Sequence, residues 1–254
     1  MNTFFDSVSF IGAGNVSTHL ALGLKKQGVK IHSITSKNNQ SARVLSSLIE
    51  SQVLEDVKLL PDDSLVIICV NDESIASMIE KIPLSNPIIY TSGNVELNSL
   101  PQRENLGVFY PLQTFTKDKE LNLTNVPFLI ESNNELFGKK IFDLALNISA
   151  KVFYANSEER KKFHLGAVFV NNFTNHLIYL SKQYIDSQKL NWEILKPLLE
   201  ETINKLQYLD PFDAQTGPAR RNDQKTINDH LKQLDGNSRE IYHAISKSIL
   251  ETYQ

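Results

Sequence analysis

The residues best suited to chemistry fall into a glycine turn and a scattered set of polar side chains. The turn is Gly12-Ala13-Gly14-Asn15-Val16-Ser17. A short apolar run through Val8, Phe10 and Ile11 enters it, and helical spacing through Val16, Leu20, Leu22 and Leu24 leaves it before Gly28. A strand, a glycine turn and a helix in that order make a cradle for a pyrophosphate. The first glycine permits the turn, the second lets backbone approach the phosphate, and the helix N-terminus offers free N–H groups and a positive dipole end. Ser17 replaces the third glycine of the Gly-x-Gly-x-x-Gly pattern, so the fingerprint is weakened and its context must confirm it.

The scattered set is Tyr110, His164, Asn171, Asn172, Thr216 and Arg221. His164 is the leading proton donor, because an imidazole titrates near neutrality; the alternative is a capping or surface histidine beside Lys161 and Lys162. Asn171 follows His164 by seven residues, so helical spacing puts both on one face. Its amide suits a substrate or a nicotinamide carboxamide, or equally an interhelical hydrogen bond, as does that of Asn172. Tyr110 could donate a hydrogen bond beside a nicotinamide, or simply pack. The loop 216–223 joins the Thr216 hydroxyl to Arg221, whose guanidinium could grip a carboxylate or phosphate, or could pair with Asp223 to cap the next helix.

Strands and helices must position these groups. Beyond the first helix, alternation over residues 29–35 predicts a second strand, followed by a helix over 40–50. The apolar run at 65–70 suits a strand buried on both faces. It ends at Asn71-Asp72-Glu73, whose side chains can cap a helix over 74–81. Further strands are predicted at 88–90, in the segment from Gly107 to its proline at Pro111, at 127–130 and at 151–154, with a helix at 134–149. This alternation predicts an α/β fold, a Rossmann-like doubly wound parallel sheet over 1–155 with ligand sites beyond the carboxyl ends of its strands. Those ends supply Val70, Asn71, Ser92 and Gly93 beside Gly12, Gly14, Asn15 and Val16. The end of the second strand carries no acid but Ser36 and Lys37, which favours NADP over NAD; the alternative is a solvated turn.

From Ser157 the periodicity turns helical and stays so. Ser157 is the predicted cap of a helix of about 30 residues, followed by helices over 192–208, 223–234 and 237–251. An all-helical domain over 156–254 is expected to complete its core against another subunit, as a homodimer.

The formal net charge of −3 and pI near 6.1 leave no basic excess for nucleic acid. The one cysteine, Cys69, excludes an intrachain disulfide or a cysteine metal cluster, and the histidines show no metal spacing. No apolar run approaches a membrane span and residues 1–6 lack a signal pattern, so a cytoplasmic protein acting on a small molecule is expected.

Several stretches together resemble a known family: Gly12-Ala13-Gly14-Asn15-Val16, Thr91-Ser92-Gly93, Tyr110-Pro111-Leu112-Gln113-Thr114-Phe115, the run from His164 to Phe173, and the run from Thr216 to Asp223. The family is the bacterial group of Rossmann-like candidate NADP oxidoreductases with a helical C-terminal domain of unknown function. The resemblance implies kinship with pyrroline-5-carboxylate reductase and with 6-phosphogluconate and hydroxyisobutyrate dehydrogenases, and dimerisation through the helical domain. It strengthens His164 as proton donor. The chain departs from the pattern in two places. Tyr110-Pro111 stands where the family commonly has His-Pro, and Ala167 and Val168 stand where dehydrogenase relatives place a lysine four residues before an asparagine. Hydride transfer between NADP(H) and a small carbonyl or imine is the leading reading. A non-catalytic dimer that binds NADP(H) or senses a metabolite is the second, and a loop that binds no dinucleotide is the third.

Overall fold

The computed structural model describes residues 5–117 and 119–254, so the N-terminal reading of residues 1–4 and Asp118 of the charged loop lie outside the described residues. One eight-stranded sheet runs in the order β3-β2-β1-β4-β5-β6-β7-β8. Its strands are β1 (Val8–Ile11), β2 (Ile31–Thr35), β3 (Gln52–Val53), β4 (Leu65–Ile68), β5 (Ile88–Tyr90), β6 (Leu106–Pro111), β7 (Phe128–Ser132) and β8 (Val152–Tyr154). Helices α1 (Asn15–Lys26), α2 (Asn39–Ile49), α3 (Asp72–Ile79) and α4 (Glu135–Leu146) form the crossovers. Every neighbouring pair is parallel except β6 with β7, which is antiparallel. The doubly wound sheet is thus mostly parallel, as expected, with this one antiparallel pair. Among the described residues between Pro111 and Phe128 the chain forms the 3₁₀ turn Leu123–Asn125 and no α-helix.

The central strands β1 and β4 are buried at every position, which is why their sequences read as unbroken apolar runs. One side of the sheet packs Phe10, Ile67, Phe109 and Phe128 against Leu20, Leu24, Leu45 and Ile141 of α1, α2 and α4. The other packs Ile11, Val66 and Ile68 against Ile75 and Ile79 of α3. Helix α3 begins at Asp72 with Asn71 at its N-cap, and the Asn71 side chain makes no capping bond, contrary to the sequence reading.

Helix α5 (Ser157–Ala167) is capped by Asn156, not Ser157. The Asn156 side chain accepts from the Glu159 N–H while the Glu159 carboxylate accepts from the Asn156 N–H, a complete capping box. The predicted long helix is interrupted in kind: α5 passes into a π-helical turn, Val168–Phe173, and then α6 (Thr174–Ser187). The remaining helices are α7 (Lys196–Asn204), α8 (Pro211–Ala214), α9 (Gln224–Leu231) and α10 (Gly236–Tyr253). Strands give way to helices at Asn156, and the chain divides into compact units at residues 1–172 and 173–254. In the second unit the buried residues are Ala214, Ala219, Ile227 and Ser246 among those described, while Leu190, Ile194 and Leu198 are exposed.

Candidate functional site

The glycine turn places its glycines for different reasons. Gly12 has φ +108°, and a Cβ there would lie 2.1 Å from the Cys69 carbonyl oxygen at the end of β4. The turn is pinned to both neighbouring strands, since the Gly12 N–H donates to the Thr35 carbonyl (2.8 Å) and the Cys69 N–H to that of Ile11 (2.7 Å). Gly14, the N-cap of α1, is ordinary extended backbone at φ −87°, and a Cβ there meets nothing within 4 Å. The packing of the chain therefore does not demand a glycine at this position; what the glycine does is keep open the space over the helix start. Helix α1 has no side-chain cap and no acid in its first turn, so its positive end and leading N–H groups remain available to an anion. The fully buried Ser17 spends its hydroxyl on the Gly14 carbonyl (3.0 Å), as does Thr18 (2.9 Å), which fits Ser17 as a substitute for the third glycine. These features fit a bound pyrophosphate.

On one side of this helix start lies a cleft of about 470 Å³ that brings together Gly12, Ser36, Lys37, Val70 and Asn71. Ser36 accepts from the Asn38 N–H (3.3 Å), and Asn38 caps α2. Sequence reasoning missed the other side of this cleft, where Glu55, Asp56, Met78 and Lys81 also line it. The two-residue strand β3, which carries Glu55 and Asp56 into place, is too short to register as alternation.

On the other side lies a cleft of about 1140 Å³ lined by Asn15, Val16, Tyr110, His164, Asn171 and Asn172, with Gln113, Thr114 and Phe115 from the loop after β6. That loop is tied to α1: the Asn15 amide donates to the Phe115 carbonyl (2.9 Å), and His19 Nε2 bonds the Thr116 carbonyl (2.9 Å). The Tyr110 hydroxyl and His164 Nδ1 are 3.0 Å apart. Gly93 closes on both rings, since a Cβ there would lie 2.6 Å from Tyr110 Cζ and 2.9 Å from His164 Nδ1. Three predicted residues far apart in sequence thus meet at one point. Burial pushes the Tyr110 hydroxyl above its ordinary range, opposed by the nearby Arg160 charge and reinforced by Asp72, so it stays protonated. Ser92 is buried and closes the turn before this point, accepting from the Asn94 (3.1 Å) and Val95 (3.0 Å) N–H groups.

Thr216 and Arg221 belong to the second unit. Thr216 lines a cavity of about 580 Å³ there, with Leu177, Leu180, Ile241 and Ile245. Arg221 is exposed. Asp223 caps α9 by accepting from the Thr226 N–H (3.0 Å) and hydroxyl (2.7 Å), which hold its carboxyl below the usual range, with Arg221 a lesser cause. The capping alternative therefore holds for Asp223 without the guanidinium. Sequence reasoning also missed the polar cluster of Arg160, Glu131 and Ser157, in which a fully buried Arg160 pairs with the partly buried Glu131. Arg160 stands in Glu-Glu-Arg-Lys-Lys, which reads as a solvated helix turn.

Residues 7–92 match the family described as NADP oxidoreductase, coenzyme F420-dependent, and residues 126–249 match a domain of unknown function. No curated protein matches the chain. Among solved structures, a candidate NADP oxidoreductase from Bacteroides fragilis is 33% identical, with 97% of this chain and 98% of that one covered and a TM-score of 0.89. Similar in fold are 1-pyrroline-5-carboxylate reductase from Streptococcus pyogenes, at 14% identity, 97% of each chain and a TM-score of 0.63, and a reductive aminase from Aspergillus terreus solved with NADPH and ethyl levulinate, at 13% identity, 96% and 92% coverage and a TM-score of 0.71.

Proposed function

The chain belongs to the family of candidate NADP oxidoreductases that the Bacteroides fragilis protein represents, and from that premise we propose that it transfers a hydride between NADP(H) and a small carbonyl or imine. The observation that carries the reading is the juxtaposition, across the first turn of α1, of an open anion cradle and the Tyr110–His164 pair. In this reading the backbone at Gly12 and Gly14 and the leading N–H groups at Asn15 and Val16 bind the pyrophosphate. Ser36 and Lys37 take the 2′-phosphate, Val70 and Asn71 flank the adenosine, and Ser92 and Gly93 border the nicotinamide. When bound, NADPH supplies the hydride.

The chain's own groups manage the proton. In this reading the acid is the His164 imidazolium: its Nδ1–H donates to the Tyr110 hydroxyl oxygen, and its Nε2 proton passes to the substrate oxygen or nitrogen, leaving a neutral ring that solvent reprotonates. Asn171 and Asn172, exposed in the same cleft, orient the substrate through their amides. The sparsely buried second unit, with its exposed leucines and isoleucines, completes its core against a second copy of the chain; light scattering should return twice the monomer mass. Among the described residues no helix is long and apolar enough to cross a membrane.

Parallel calorimetric titrations with NADPH and NADH, followed by a screen of imines and 2-oxo acids for NADPH oxidation, test the proposal. Preferred NADPH binding with turnover is the expected result. Binding without turnover of any substrate would favour the metabolite-sensing reading, and no binding of either nucleotide would overturn both.

A further inference from the structure

A fully buried arginine lies one helical turn before His164. The guanidinium of Arg160 donates to the Glu131 carboxylate on β7 and to the Val95 carbonyl in the loop after β5, and lies 3.4 Å from Ser157 Oγ. Ser157, freed from capping by Asn156, donates to both Glu131 carboxylate oxygens (2.8 and 3.0 Å) and accepts the Leu97 N–H (3.1 Å). The Tyr90 hydroxyl donates to the same Val95 carbonyl (3.1 Å). One polar network, built around the buried Arg160, thus fastens three segments: β7, the loop that carries Gly93, and the first turn of α5.

Stability alone does not account for this arrangement. Burying an ion pair costs desolvation that its attraction need not recover, and apolar replacements of equal volume are often no worse. The Arg160 Nε–H is moreover buried without an acceptor among the described residues. The network does control geometry. Positions i and i+4 of a helix share a face, so fixing Arg160 fixes the azimuth of His164. The loop it clamps at Val95 and Leu97 carries Gly93, which leaves no room for even a methyl group against Tyr110 and His164.

We propose that the Arg160–Glu131 pair, with Ser157, is a positioning device that holds the Gly93 loop and α5 in the one arrangement in which His164 meets Tyr110. None of the three touches the substrate in this scheme. The proposal rests on the oxidoreductase reading for its purpose, though not for its test.

The test uses nitrogen-15 NMR of the His164 ring in the full-length protein without nucleotide, with Tyr110→Phe as the reference for a broken pair. Arg160→Met combined with Glu131→Leu removes both charges together and so avoids an orphaned buried ion. Arg160→Lys, which keeps the charge but cannot span both Glu131 and Val95, is the second variant if the first does not fold. In whichever variant is folded by circular dichroism, the His164 nitrogen shifts should move from the wild-type pattern to that of Tyr110→Phe. Where turnover has been found, kcat should fall about 10–100-fold. A folded variant that keeps the wild-type His164 pattern overturns the proposal, whether or not a substrate is known.

Discussion

The clefts on either side of α1 are built from different materials. The smaller is organised by backbone, the Gly12 turn pinned to its neighbouring strands with Ser36 and Lys37 beside it, while the uncapped start of α1 borders the larger at Asn15 and Val16. The larger is a side-chain site in which Tyr110, His164, Asn171 and Asn172 come from β6, α5 and the π-helical turn. A backbone site fails when its main chain cannot be made. A side-chain site fails one chemical group at a time and leaves the fold intact.

The largest effect should come from breaking the backbone of the smaller cleft. Gly12→Ala sets a methyl 2.1 Å from the Cys69 carbonyl at a φ of +108°. The left-handed conformation alone costs an L-residue about 1–2 kcal/mol, and the clash adds to it. A loss of roughly 3 kcal/mol or more, about 6–12 °C in melting temperature for a chain of this size, is expected by calorimetry or circular dichroism. A wild-type melting curve would show that the turn relaxes at no cost.

Gly14→Asp separates folding from binding. The side chain enters open space, so melting should change by less than about 1 kcal/mol. NADPH affinity should nevertheless fall at least 100-fold, or about 2.7 kcal/mol, because a carboxylate now occupies the anion cradle. Unchanged affinity in the folded variant would remove the cradle from the nucleotide site.

In the larger cleft the losses should be chemical. His164→Gln should lower kcat by about 10²–10⁴ with NADPH binding retained, the range for losing a general acid. Tyr110→Phe removes the hydroxyl at 3.0 Å but not the ring, and should cost about tenfold. The pH dependence sharpens the assignment. Burial raises the Tyr110 pKa above its ordinary 10.0, so the hydroxyl keeps its proton as pH rises to that value, and no falling limb of kcat below it should belong to Tyr110. A limb below pH 10 that disappears in Tyr110→Phe would contradict a Tyr110 hydroxyl that keeps its proton.

The difference in material also explains what the sequence could reveal. Gly12 announces itself because few other residues serve its backbone position, Gly14 only by its spacing from Gly12 in the motif, and the apolar runs of β1 and β4 follow from burial on both faces. Nothing local announces that Gly93, Tyr110 and His164 meet, because their separations in sequence are set by the topology; His164 stood out mainly through family resemblance. Arg160 was illegible for a stronger reason. Its neighbours Glu158, Glu159, Lys161 and Lys162 describe a solvated helix turn, and only the packing of α5 against β7 buries the one arginine among them. The antiparallel β6–β7 pair was equally hidden, since strand direction depends on the path between strands and not on the alternation within them.

The finest division lies within the smaller cleft itself, between the backbone and the side chains that, in the proposed reading, choose the dinucleotide. Lys37 shares the cleft with Glu55, Asp56 and Lys81, so its charge is mixed and Lys37 is not its sole cation. Replacing it should therefore cost discrimination more than binding. Lys37→Glu is expected to weaken NADPH about tenfold, near 1.4 kcal/mol, while leaving NADH within about twofold. Paired titrations at moderate salt read the ratio directly. Equal loss for both nucleotides would return Lys37 to the role of a solvated turn residue and shift the 2′-phosphate assignment to Lys81, whose removal would then have to show the preference that Lys37 did not.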